Sequence, residues 1–188
     1  MSTFAAAFVR GGNRASSFFI NLSYQRHLPL TENDMIDKTA LEQVINEALE
    51  GTKMYLVTLK VSKDNVIDVA LDSDEDITIE DCMEVNDAVL KAFDRDVEDY
   101  ELTVGSYGIT SPLVLPRQYR KNIGYEVEVL TTDGRKLKGV IDDADDEGFV
   151  LTTTVKRKLE GKKRPELVEE QERFNYSDIK QTKNIIKI

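Results

Sequence analysis

The chain has 188 residues, 40% of them hydrophobic and 32% charged, with a formal net charge of −10. That is room for one domain or two small ones around a modest core, and the acidity argues against a protein that coats duplex DNA. One cysteine, Cys82, excludes an internal disulfide framework; with a single histidine, His27, it cannot build a structural zinc site, and no apolar run is long enough to span a membrane.

Residues 1–34 show no sustained helical or strand period, so they are read as a disordered leader or a mis-assigned start. Regular patterning begins after Met35. Thr39-x-x-Glu42 has the form of a capping box, and Leu41, Val44, Ile45, Ala48 and Leu49 recur at helical spacing until Gly51 stops the helix. Tyr55, Val57, Leu59 and Val61 alternate with Leu56, Thr58 and Lys60, predicting a strand with the first set inward. The turn Lys63-Asp64-Asn65 returns the chain as a second strand with Ile67, Val69 and Leu71 inward. Thr78-x-x-Asp81 caps a second helix whose apolar stripe is Cys82, Val85, Val89 and Ala92, with Phe93. Tyr100, Leu102 and Val104 make a third strand. The order α-β-β-α-β predicts a three-stranded sheet with both helices on one face, over residues 35–110.

After Pro112 and Pro116 the rhythm changes to short strands: Glu126–Leu130, Lys136–Ile141, Phe149–Val155, Glu172–Tyr176 and Asn184–Ile188. Asp133-Gly134 is a hairpin signal, Asp142–Gly148 a turn, and Lys156–Glu170 a charged loop. This spacing predicts a small SH3-like or Sm-like β-barrel over residues 111–188, so the expected fold class is α+β.

Charge divides along the same line. From Met35 to Val104 there are 6 Lys and Arg against 19 Asp and Glu; from Gly105 to Ile188 there are 16 against 14. Three basic clusters stand out in the second half: Arg117, Arg120 and Lys121; Arg135, Lys136 and Lys138; and Lys156, Arg157, Lys158, Lys162, Lys163 and Arg164. Lys and Arg in such clusters can bind phosphates, with Tyr119 and Tyr125 available to stack on unpaired bases, or can be solvated charge on soluble loops. Asp72-x-Asp74-x-Asp76 lacks the glycine and the bidentate glutamate of an EF-hand loop, and the acidic Asp142–Gly148 turn has no supporting pattern for a metal. Cys82 lies on an apolar helix face without a base, so no catalytic site and no cofactor is expected.

The junction Tyr100-Glu101-Leu102-Thr103-Val104-Gly105-Ser106-Tyr107-Gly108-Ile109-Thr110-Ser111-Pro112-Leu113 resembles the ribosome maturation factor family called RimP. There, a third strand runs into a Ser-Ser-Pro-Gly turn and then an Asp-Arg-Pro-Leu segment. Leu102, Val104, Ser106, Gly108 and Pro112-Leu113 match; Tyr107, Thr110 and Ser111 replace the proline, the acid and the arginine, so this linker has no arginine to offer RNA. Ile77–Cys82, Arg117–Gly124, Lys136–Ile141 and Phe174–Ile179 resemble further family segments in the same order. The resemblance implies an N-terminal α/β domain and a C-terminal SH3-like barrel. It also implies a non-enzymatic, cytoplasmic, monomeric assembly factor for the small (30S) ribosomal subunit. The implied partners are the subunit precursor, its ribosomal RNA and a basic ribosomal protein near the decoding centre, without DNA or membrane. The alternatives are an Sm-like RNA-binding regulator, which would form rings, and a metal-dependent hydrolase using the acidic turns.

Overall fold

Two hydrophobic clusters organise the residues that the computed structural model describes, 36–157 and 166–186. The expectations for the leader, for Lys158, Lys162, Lys163 and Arg164, and for the far C-terminus lie outside the described residues. In the first half, helix α1 (Lys38–Leu49) buries Leu41, Ile45 and Leu49, one residue per turn on one face. Its cap is Asp37, whose side chain accepts from the Thr39 N–H, so the Thr39/Glu42 capping box is not the device used. Aspartate caps as well as threonine and stands two residues earlier. Gly51, at φ +78°, takes the left-handed conformation that ends the helix.

Strands β1 (Met54–Val61) and β2 (Val66–Ser73) pair antiparallel. The turn between them holds Asn65 at φ 52°, and the Ser62 hydroxyl accepts the N–H groups of Asp64 and Val66. Helix α2 (Ile79–Ala92) starts at the expected reciprocal Thr78/Asp81 box and buries Val85 and Val89. It carries the chain across to β3 (Glu101–Ser106), which lies parallel to β2, giving the sheet order β1-β2-β3. Leu41 and Ile45 of α1, Val85 and Val89 of α2, and Ile67, Val69 and Leu71 of β2 share one core, so both helices cover one sheet face as the sequence predicts.

The inward set of β1 differs from the simple alternation. Leu56 pairs with Leu71 but Thr58 with Ala70, so Val57 is an extra residue in a bulge. Met54 and Leu56 therefore join the core before the bulge, and Leu59 and Val61 join it after. Tyr55 is buried outside that cluster, under a residue of the second half described below.

The second half is a five-stranded antiparallel sheet: β4 (Glu126–Thr131), β5 (Lys136–Ala144), β6 (Gly148–Arg157), β7 (Glu166–Asn175) and β8 (Ile179–Asn184), in the order β7-β6-β5-β4-β8. Among the described residues no ladder joins β7 to β8, so the sheet is open where a closed barrel was expected. The charged loop expected over Lys156–Glu170 is shorter at both ends, because β6 and β7 pair from Gly148↔Asn175 to Arg157↔Glu166 and take up residues 156–157 and 166–170; residues 158–165 lie outside the described residues. Cross-strand opposite charges such as Arg157 and Glu170, 3.0 Å apart, support strand pairing where a reading of hydrophobicity sees only a loop. The last strand is Ile179–Asn184 rather than Asn184–Ile188, because Ile179 and Thr182, not a longer apolar run, supply its inward positions. A short helix, α3 (Pro116–Lys121), precedes the sheet; proline at its start costs no intrahelical hydrogen bond. Tyr119 of α3 enters the second core 4.9 Å from the Phe149 ring and 4.8 Å from Tyr176.

Strands β5 and β6 approach so closely at Gly139 that an added Cβ would stand 2.3 Å from the Thr152 carbonyl oxygen. Backbone, unlike the end of a flexible side chain, cannot step aside. Gly139→Ala is therefore expected to destabilise the fold by about 1–3 kcal/mol, read as a lower midpoint in urea unfolding; an unchanged midpoint would contradict this packing.

Candidate functional site

Side-chain hydrogen bonds join the two halves where β2 ends. Its last residues leave the sheet as Asp72-Ser73-Asp74, and α3 lies against them with Arg117, Gln118 and Lys121 on the facing side. Arg117 grips Asp74 with two donors, Nε at 2.8 Å and Nη2 at 2.6 Å, and Nη2 also donates to the Lys53 carbonyl at 3.1 Å. The same guanidinium lies over the Tyr55 ring, 4.2 Å from its centroid, which is the contact the β1 bulge makes available. A planar guanidinium can make the fork and the stack at once; an ammonium cannot.

Gln118 is almost fully buried, and its amide is used on both sides. Its Oε1 accepts the N–H groups of Val114 (2.8 Å) and Leu115 (3.1 Å), and its Nε2 donates to Asp72 at 3.1 Å. One side chain thus fixes the linker, α3 and β2 together. Asp72 also accepts from Lys121 Nζ at 2.8 Å and from the Ser73 N–H. Burial alone would raise its carboxyl, but the Lys121 ammonium, the Gln118 amide and the Ser73 N–H together hold it below the ordinary aspartate value of 3.8. The Arg117 hydrogen bonds lower Asp74 in the same direction. Burial raises the Tyr55 phenol, and the neighbouring Asp72 carboxylate adds to the effect.

The linker residues singled out by sequence lie directly above this junction. Ser106 ends β3 opposite Leu71. The Tyr107 N–H donates to the Leu71 carbonyl, and its hydroxyl reaches across the turn to the Pro112 carbonyl at 2.8 Å. A tyrosine standing where the resembled turn has proline thus restrains the turn by a hydrogen bond. Leu113 is then caught in the second core, its N–H bonded to the Thr182 carbonyl. Beside the junction opens a cleft of about 1250 Å³, with Glu75, Ile77, Ile109, Tyr125 and Ile186 among its lining residues.

The structure separates the predicted basic clusters by how their charge is used. In α3, Arg117 and Lys121 are held by Asp74 and Asp72, and Arg120 by Asp146 at 2.7 Å. Arg135 forks onto Glu172, contacts Asp133 and lies near the Phe174 ring. Arg157 pairs with Glu170. Lys136 and Lys138 share one carboxylate, Glu128, at 3.0 and 3.6 Å, and Lys156 is exposed without an ion pair among the described residues. Sequence reasoning missed the acidic partners and missed Lys183, which the β8 register sets opposite Glu128; only strand pairing brings these positions together.

The acidic turns are occupied by protein groups. Asp145 accepts the Glu147 and Gly148 N–H groups and pairs with Arg173 at 2.6 Å, and these hydrogen bonds, Arg173's first, bring its carboxyl down to about 2. Asp142 accepts from Thr152 and Gln171. Among the described residues no group of three potential ligands is arranged to hold a metal. Burial raises the Cys82 thiol, away from the thiolate that nucleophilic chemistry needs.

The description RimP N-terminal domain fits residues 44–110. A Ribosome maturation factor RimP from Porphyromonas gingivalis is 35% identical over 152 residues, covering 81% of this chain and 100% of that protein. One from Christiangramia forsetii is 31% identical over 134 residues, covering 71% and 87%, and one from Flavobacterium psychrophilum is 26% identical over 153 residues, covering 81% and 99%.

The junction carries a pH signature. Because Asp72 is depressed in the folded state, its contribution is complete above 3.8 and is lost as pH falls through the lower folded value. Asp72→Asn should lower stability near neutral pH and make the acid decline below about pH 4 shallower than in the wild type, since the variant has nothing to protonate there. Parallel pH–stability curves for the two proteins would contradict this role for Asp72.

Proposed function

The chain belongs to the RimP family of ribosome maturation factors, and on that premise we propose that it is an assembly factor that docks transiently on a precursor of the small (30S) ribosomal subunit. The observation that carries this reading is the match to the Porphyromonas gingivalis protein along that protein's whole length. The work is done by binding energy, without catalysis or a cofactor, in the cytoplasm and as a monomer. The division of the chain into domains at about residue 110 and the reading of the five-stranded sheet as an SH3-like barrel opened between β7 and β8 belong to the same proposal.

The charge distribution supports two kinds of contact. Residues 35–104, with 6 basic against 19 acidic side chains, attract basic ribosomal proteins and disfavour naked RNA. We take the partner of that half to be a basic ribosomal protein near the decoding centre. The second half, with 16 basic against 14 acidic residues, is the side for ribosomal RNA.

The test is sedimentation of the full chain through a gradient with ribosomal particles from its own cells. Co-migration with free small subunits, and not with large subunits or full ribosomes, is expected at physiological salt. A protein that stays at the top at both low and physiological salt would contradict the proposal, and a hexameric or heptameric mass would favour the Sm-like regulator.

A further inference from the structure

On adjacent strands of the second sheet two lysines contact one glutamate and a third stands opposite it in the ladder. The ladder sets Glu128 of β4 opposite Lys138 of β5 on one side and opposite Lys183 of β8 on the other. Lys136 stands two residues before Lys138 on β5 and so points to the same side. The Nζ atoms of Lys136 and Lys138 lie 3.0 and 3.6 Å from the Glu128 carboxylate, and both side chains are about two-thirds exposed, 66% and 65%. Lys183 is exposed and has no ion pair among the described residues. One carboxylate among three ammonium groups leaves about two positive charges uncompensated.

This group differs from the α3 cluster. There each cation has its own aspartate. Here the cations outnumber the acid, and they stand on paired strands whose other face carries the buried Val127, Val129 and Ile141, so their spacing is fixed by the sheet. Lys156 extends the same face: Thr152 of β6 pairs with Val140 of β5, and residues two and four further along β6 keep that side. The nearest acid along β4, Glu126, comes two residues on, so the positive end of the face is the end at Lys136 and Lys138. The remaining positions around the lysines on β4, β5, β6 and β8 are Leu130, Val140, Thr152, Thr154 and Gln181, without an aromatic ring to stack on a base, and beyond them on β7 stands Glu169, opposite Thr154.

From this arrangement we infer that the outward face of β8, β4 and β5, with Lys136, Lys138 and Lys183 around Glu128, binds the phosphate backbone of RNA. The inference rests on the assembly-factor reading for its RNA, and on the sheet register for its site. Lysines act as point charges without the forked geometry that reads a base edge, so the contact is independent of sequence and sensitive to salt. Glu128 holds the lysines in place and is the group that phosphate oxygens replace. In a chain of net charge −10, a basic face on one sheet also orients the molecule, turning the acidic half away from RNA.

The test uses the full chain and an unstructured 12-nucleotide RNA, with affinity measured across a salt series, beside sedimentation with small-subunit precursors. Three phosphate contacts predict a slope of log K against log salt near about −2. Lys138→Gln and Lys183→Gln should each reduce its magnitude by somewhat less than one and weaken binding several-fold, while Glu128→Gln should tighten binding at low salt. All three positions are on the surface, and circular dichroism checks that the fold is kept. Lysine variants that bind the RNA with wild-type affinity and slope overturn the inference, and so does a Glu128→Gln variant that binds less tightly. If wild-type protein fails to sediment with precursors yet the oligonucleotide results hold, the ribosomal reading fails and this site stands. If it sediments but the lysines are silent, this site fails and the ribosomal reading stands.

Discussion

The carboxylates of Asp72 and Asp74 stand where β2 leaves its sheet, and α3 supplies side-chain partners to both. Two like charges in that position would either raise each other's pKa or push the chain apart. Arg117, Gln118 and Lys121, all within five consecutive residues, answer them. Their contributions are unequal. The Arg117–Asp74 pair is partly solvated, with side chains 37% and 45% exposed, and such pairs are worth at most about 1 kcal/mol. Asp72 is only 14% exposed, and Gln118 is buried with both ends of its amide bonded. Removing either of these leaves buried polar groups without partners, which costs more than losing a surface pair. The hold of one half on the other therefore depends more on the neutral amide than on the more conspicuous arginine.

Much of the first half was legible because its elements obey the simple periods. Ile67, Val69 and Leu71 face inward, Thr78 and Asp81 cap α2, and Gly51 closes α1. What failed was anything set by pairing across distance. The Val57 bulge has no local signature, yet it turns Tyr55 out of the core and under Arg117. The charged ends of the β6–β7 ribbon, residues 156–157 and 166–170, were read as loop, although charge opposes strand formation only when the facing charge is alike. The last strand was placed late because Thr182, a polar residue, supplies its buried position.

The same limit applies to the candidate contact residues. Composition gave the basic clusters, but composition does not say which cations already have partners. Arg117, Arg120 and Lys121 look like an exposed basic lead-in along the sequence, and the fold spends them on Asp74, Asp146 and Asp72. Lys136 and Lys138 looked no different, and the fold leaves them in excess over Glu128. Charge that is internally matched serves the junction; charge left unmatched on the sheet is what the proposed phosphate contact draws on. The fold thus divides one set of cations between those with their own acidic partner and those in excess over it.

Through the Asp72–Gln118 contact and its flanking ion pairs, α3 holds the two sheets together in one compact unit. Residual dipolar couplings measured on backbone amides of both sheets test it directly. A single alignment tensor fitting β1–β3 and β4–β8 together is the predicted result. Two tensors of different magnitude or orientation, one for each sheet, would contradict it.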